Sequence, residues 1–130
     1  MNTKRKVLLE SLLKLGISNI LIKDIDLNDL DNSVTLESEC NIDELVGHYE
    51  GIKYVAPIWY QNLIKLEQPI LIIKDINKIN EDEQRKFIEI LKYKKISTFE
   101  LPTNCLIIVT LNSLYKNKIE KEISKLVAKI

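Results

Sequence analysis

Hydrophobic and polar positions along the chain change period repeatedly, and each change predicts an element. Between Lys4 and Leu15, Val7, Leu8, Leu12 and Leu15 recur at helical spacing, with Gly16 as a stop. "NILIKDID" (19–26) reads as a short buried strand, and "LNDLDN" (27–32) as a turn. "SVTLESE" (33–39) alternates apolar and polar residues, as a second strand does. "NIDELVG" (41–47) suits a helical turn capped by Asn41 and ended by Gly47. "APIWYQNLIKLEQ" (56–68) sets Ile58, Leu63 and Leu66 near one helical face, with Pro57 early, where proline is tolerated. "PILIIKD" (69–75) is apolar on both faces, like a strand covered on both sides. "NEDEQRKFIEILKYKK" (80–95) predicts a helix with Asn80 as N-cap, acids in its first turn and lysines in its last. Its buried stripe is Phe87, Ile88 and Leu91. "ISTFELPTN" (96–104) reads as a short hairpin or extended loop, and "CLIIVTLN" (105–112) as a fourth strand. "SLYKNKIEKEISKLVAKI" (113–130) predicts a last helix with Ile119, Ile123, Leu126 and Val127 inward. Strands alternating with helices imply an α/β fold with a mainly parallel sheet of about four strands.

The 130 residues are enough for one modest domain, and residues 1–130 are expected to form a single one. Lys+Arg and Asp+Glu both number 19, so broad electrostatic binding to nucleic acid is not expected. The lysines at 92, 94 and 95 read as a solvated helix end. No apolar run approaches the roughly 18 residues of a membrane helix, so no membrane partner is expected. The basic "MNTKRK" is followed by a segment carrying Glu10 and Lys14, unlike a signal peptide. A cytoplasmic protein is the expectation. Cys40 and Cys105 lack CxxC spacing, and His48 is the single histidine; that is too few ligands for a zinc site and fits reduced, structural thiols.

Segments 42–112 resemble, in order, the core of a MoxR-type AAA+ ATPase. "IDELVG" is similar to the family's D-L-[LV]-G step, and "YVAPIW" to its W-x-x-x-P-[LI] stretch. "ILIIKDINKINEDEQRKFIEILKYKKI" resembles the Walker B strand and the D-E-[IL]-N-[RK]-A-x-P-x-x-Q pattern that follows it. "FELPTNCLIIVTLN" resembles LP-[DN]-x-[VF]-x-[VIL]-[IV]-A-[AT]-x-N, whose last residue is the sensor-1 asparagine. The resemblance implies a three-layer P-loop NTPase-like sandwich. It also implies that strand 69–75 lies between 33–39 and 105–112, with 19–26 on the far side of 105–112.

Its departures imply lost chemistry. The sequence contains no G-x-x-x-x-G-K-[ST], the loop that supplies backbone N–H groups, a lysine and a hydroxyl to bound phosphates and magnesium. "DIDLNDLDNS" runs almost directly from the first strand into the second and carries four aspartates. Residues 4–16 either precede the first strand or are the remnant of the helix behind the deleted loop. By the resemblance, Lys74 stands where the family has its magnesium acid, Asp75 where it has the catalytic glutamate, and Asn112 at sensor 1. A lysine ammonium donates only and cannot ligate a cation. A downstream lid domain is not expected, because the chain stops at Ile130.

Lys74, Asp75 and Asn112 are therefore vestigial candidates, and no catalytic, cofactor-binding or metal-binding residue is assigned. The expected function is that of an inactive AAA+-like domain working through contact with a protein, such as an AAA+ ATPase, and modulating its assembly. Two alternatives are kept. One is a nucleotide-binding ATPase completed in trans by a partner chain, the only case in which ATP and magnesium are expected. The other is a small mobile-element protein associated with nucleic acid.

Further signals are weaker. "DINKINEDEQ" breaks the calcium-loop pattern at Ile79 and Asn80. His48 lies near Asp43, Glu44 and Glu50, so an acid–histidine pair is conceivable, without a nucleophile motif beside it. "LPTN" resembles a sorting signal but has no apolar tail behind it. Trp59 is expected to anchor its helix to the sheet, with Tyr49, Tyr54 and Tyr60 half-exposed.

Overall fold

The computed structural model describes residues 3–130. Helix α1 (Thr3–Lys14) ends at Gly16, whose φ of +75° suits glycine. Strand β1 (Ile20–Lys23) follows. Residues 24–32 then run, without a helix, to β2 (Ser33–Glu37). Helix α2 (Ile42–Val46) starts on a capping box: the Glu44 N–H donates to the Asn41 side chain, and the Asn41 N–H to the Glu44 carboxylate. Gly47 closes it at φ +92°, where a Cβ would meet the Val55 carbonyl at 2.3 Å. An antiparallel hairpin follows, β3 (His48–Glu50) and β4 (Lys53–Val55), then α3 (Ile58–Leu63) and β5 (Ile70–Lys74). Beyond a 3-10 turn come α4 (Glu81–Gln84), a second 3-10 turn and α5 (Ile88–Tyr93). The remaining elements are the hairpin β6 (Lys95–Ile96) and β7 (Phe99–Glu100), then β8 (Leu106–Leu111), α6 (Lys121–Leu126) and β9 (Ala128–Lys129).

The main sheet has the order β2-β5-β8-β1-β9, and every pairing in it is parallel. Strand β5 lies between β2 and β8, with β1 beyond β8, as the resemblance implies. Since β1 takes the first-strand position, α1 precedes that strand. The sheet is covered on both faces. On one side Leu21, Leu71, Ile73, Ile107 and Val109 pack against Leu45, Trp59, Leu63, Phe87, Leu91 and Ile123. On the other, Ile20, Ile22, Ile72 and Ile108 are covered by Leu9 of α1 and Leu27 of segment 24–32. The result is the α/β sandwich of three layers.

Several expectations need correction. Residues 113–130 are not one helix. The buried Asn77 amide donates to the carbonyls of Asn112 (2.7 Å) and Tyr115 (3.3 Å) and accepts from the Asn112 N–H (3.0 Å). The buried Gln84 amide donates to the Lys118 carbonyl (2.8 Å) and accepts from the Glu120 N–H (2.7 Å). These side chains take backbone groups that a helix would use, so helix begins only at Lys121. It ends before Ala128, because β9 pairs with β1 as a fifth strand that the sequence reading lacks. Helix 80–95 keeps Asn80 as its cap but is broken by the 3-10 turn at Arg85–Phe87. On α1 the inward residues are Leu9, Leu12 and Leu13, while Val7, Leu8 and Leu15 point outward. Helix 56–68 shortens to Ile58–Leu63, with Ile58 75% exposed and Trp59 and Leu63 buried.

Candidate functional site at the carboxyl end of the sheet

Ligands of open α/β sheets gather outside the carboxyl ends of the strands. Lys74, Asp75, Thr110 and Asn112 all line a cavity of about 250 Å³ there, together with Asp26 and Asn28 of segment 24–32. The structure thus brings the three candidate residues to one place. The protein itself holds the backbone of Asp75 and the side-chain oxygen of Asn112, and sets the Lys74 ammonium near the Glu37 carboxylate.

Lys74 ends β5, paired in register with Glu37 of β2, and its Nζ lies 3.9 Å from the Glu37 carboxylate. The sequence reading points this lysine toward the aspartates of 24–32; the structure corrects that, because β2 is the neighbouring strand. Three of those four aspartates have other partners. Asp24 accepts from the Ser113 N–H (2.8 Å), and this hydrogen bond holds its carboxyl below the ordinary range. Asp26 accepts from the Asn28 N–H, and Asp29 pairs with Lys6 at 3.3 Å.

Asp75 adopts the left-handed conformation, φ 53° and ψ 54°. Three hydrogen bonds fix its backbone there. Its N–H donates to the Thr110 hydroxyl (2.8 Å), and its carbonyl accepts from the Ser38 hydroxyl (2.7 Å) and the Lys78 N–H (2.9 Å). Asn112 uses its side-chain carbonyl to accept from the Leu114 N–H (2.9 Å), a local turn, while Asn77 grips its backbone. Sequence reasoning missed Thr110, Asn77 and Ser38. Thr110 alone carries a usable signal, as the one hydroxyl inside the apolar run 106–111.

These residues do not fit a magnesium-bound triphosphate. Lys74 is a donor beside an acid, Asp26 and Asp75 add negative charge, and the segment after β1 is acidic rather than glycine-rich. Among the described residues, no group of three or more His, Cys, Asp or Glu is placed to hold a metal ion.

Other singled-out residues lie elsewhere. His48 Nε2 is 3.2 Å from Glu50 Oε1 in an exposed pair on β3. Trp59 is buried against the sheet's core, and its indole N–H donates to the Leu45 carbonyl (2.9 Å), which also ties α3 to α2. Tyr54 stacks on Phe99 with ring centroids 5.6 Å apart, joining the two hairpins. Both cysteines are free and buried. Burial pushes the Cys105 thiol up to about 11 and lowers the half-buried Lys94. No helix among the described residues is long and apolar enough to cross a membrane.

No protein-family model matches the sequence, and no curated protein matches it. A solved structure does: Hsp104 in its closed state, a cryo-EM reconstruction with ATPγS and FITC-casein. The TM-score is 0.64 at 16% identity, over 98% of this chain and 31% of the Hsp104 chain. This chain therefore spans about a third of the length of that neighbour. At such identity the likeness shows the fold alone, and that fold is AAA+-like.

Proposed function

We propose that this chain is a catalytically inactive, MoxR-like AAA+ domain, formed by residues 1–130 as a unit, that acts through protein–protein contact and modulates an AAA+ assembly. The observation that carries the proposal is the ion pair of Lys74 with Glu37 at the position of the family's magnesium acid. The acidic segment 24–32 supports it by following β1 where the family has its phosphate loop. A domain of this shape without that chemistry retains surfaces for docking on related subunits. Asp75 and Asn112 then serve as folding groups: one ends β5 in a fixed turn, the other starts the loop to α6.

Two measurements test the proposal. Steady-state ATP turnover with magnesium is expected at background in the wild type and unchanged by Asp75→Ala. Wild-type turnover abolished by Asp75→Ala would overturn the inactive reading in favour of an ATPase. Capture from the native cell is expected to return an AAA+ ATPase. Recovery of only abundant chaperones and metabolic enzymes would count against the contact role.

A further inference from the structure

Strand β2 is an outer strand of the main sheet, and no strand among the described residues pairs with its free side. The direction of that side follows from the ladder. Ile70 donates to the Asn32 carbonyl and Ser38 donates to the Lys74 carbonyl, so the even-numbered residues of β2 bond to β5. In a parallel pair the odd-numbered residues then turn their N–H and C=O groups outward. Thr35 sits at the middle of that free side and is exposed.

A groove of about 610 Å³ runs beside it. Thr35, Leu36 and Glu37 all line the groove. Consecutive residues alternate between the two faces of a sheet, so a groove touched by three in a row lies along the edge of the strand. The opposite wall comes from α2, the β3–β4 hairpin and the start of α3. Its floor is apolar, with Leu36, Pro57 and Trp59, and Ile58 stands 75% exposed at its rim. Four carboxylates line it, Glu37, Asp43, Glu44 and Glu50, with His48 beside Glu50. Glu37 also neighbours Lys74, and Glu44 accepts from the Asn41 N–H. Among the described residues, Asp43 has no cation beside it and no lysine or arginine lines the groove.

An unpaired strand edge, an apolar floor and a one-signed rim call for one kind of occupant. From this geometry we infer that the groove binds an extended peptide segment of a partner protein in which lysine or arginine alternates with aliphatic residues. The segment adds itself to β2 as a sixth strand. The outward N–H and C=O groups around Thr35 supply the main-chain bonds, while the Glu37 carbonyl already accepts from the Cys40 N–H (3.1 Å) and ends the edge there. The segment's aliphatic side chains meet the apolar floor and its cations meet the carboxylates. Five residues of strand offer an edge of about 16 Å, enough for a segment of similar length. This inference rests on the contact-making reading above and gives that contact a chemistry.

The probe is the capped heptapeptide Arg-Val-Lys-Val-Arg-Val-Lys, with a Glu-for-Lys/Arg version as control, titrated by calorimetry and by fluorescence of Trp59. The basic peptide is expected to bind and the acidic one not. Thr35→Pro removes one outward N–H and leaves the ladder to β5 intact, since proline is tolerated on edge strands. It is expected to weaken the basic peptide at least tenfold, with unchanged far-UV circular dichroism. Asp43→Lys with Glu50→Lys, remote from the ladder, is expected to do the same and to flatten the salt dependence.

Equal binding by wild type and both variants would overturn the inference, as would binding of the acidic peptide or of neither. Concentration-dependent self-association lost in Thr35→Pro would also overturn it, by assigning the edge to a second copy. ATP turnover in the same preparations separates the two proposals. Turnover without peptide binding sinks both, turnover with binding sinks only the inactive reading, and neither turnover nor binding sinks only the peptide site.

Discussion

At the carboxyl end of the sheet, polar groups are numerous, and several are bonded within the protein. Along the outer edge of β2, backbone groups are few and face outward. The carboxyl end holds the residues a nucleotide site would use, yet Lys74 faces Glu37, Thr110 receives the Asp75 N–H, and Asn112 closes its own turn. The edge of β2 carries no catalytic residue type in a telling position, yet no strand among the described residues pairs with it, and it sits beside an apolar, acid-rimmed groove. What a side chain is bonded to decides whether it is available to a ligand. Residue type alone does not decide it.

The largest way to break this comparison lies in the clamp at the carboxyl end. Gln84 is fully buried and satisfies two carbonyls and one N–H, those of Ile79, Lys118 and Glu120. Gln84→Ala strands those partners and opens a cavity. An unsatisfied buried partner costs about 1–3 kcal/mol, so the expected loss is roughly 3 kcal/mol or more in urea denaturation. A loss under about 1 kcal/mol would mean that the 112–120 segment is held by something other than this network.

The amino end of the sheet is closed differently, by burial, and pH reads that. Cys105 has its thiol raised from 9.0 to about 11 by burial, so the folded state favours the neutral form. Its stability contribution is fully present below pH 9 and is lost as pH rises toward 11. Lys94, lowered by burial, works the other way: its penalty fades as pH rises toward its ordinary 10.5. The expected net fall attributable to Cys105 is on the order of 1 kcal/mol between pH 9 and 11. Cys105→Ala should flatten it. An unchanged slope in that variant would assign the alkaline loss to other groups.

How much of this was legible in the sequence follows from the range of each signal. The apolar runs 20–23, 70–74 and 106–111 name the inner strands because each run is local, and Asn80 names its helix start for the same reason. The coil at 113–120 was hidden, since the side chains that impose it, Asn77 and Gln84, lie more than thirty residues away. Two-residue β9 carries no periodicity at all, and it forms because Asn19 and Leu21 offer carbonyls to Ala128 and Ile130. The three candidate residues could be brought together by resemblance alone. Their partners could not, because Glu37 meets Lys74 only through the register of β2 on β5. The groove needs four separate elements in place before it exists.

A smaller effect sharpens the open side of the comparison. Thr35→Pro removes an N–H that no strand among the described residues uses, so its cost to stability is expected to stay under about 1 kcal/mol, far below the roughly 3 kcal/mol for proline within a hydrogen-bonded element. Denaturation midpoints of wild type and variant check it. A loss of several kcal/mol would show that the outer edge of β2 is already paired in solution.

The smallest expected effect belongs to Lys74→Asp, which places an acid where the proposed MoxR-like reading expects one. On stability it removes an ion pair whose side chains are 44% and 57% exposed and sets two carboxylates side by side. Exposed pairs contribute about 0–1 kcal/mol, so a loss of that order is expected, reduced further by added salt. On activity no change is expected. One carboxylate supplies a magnesium ligand, but the phosphates still lack backbone N–H donors and a lysine. Segment 24–32 cannot supply them: it bears four aspartates and packs Leu27 into the sheet's core. Wild type, Lys74→Asp and an Asp75→Ala blank should therefore give the same background turnover. Hydrolysis appearing only in Lys74→Asp would reverse the comparison between the two regions. It would mean that a phosphate cradle exists at the carboxyl end, and that one lysine on β5 had been holding it silent.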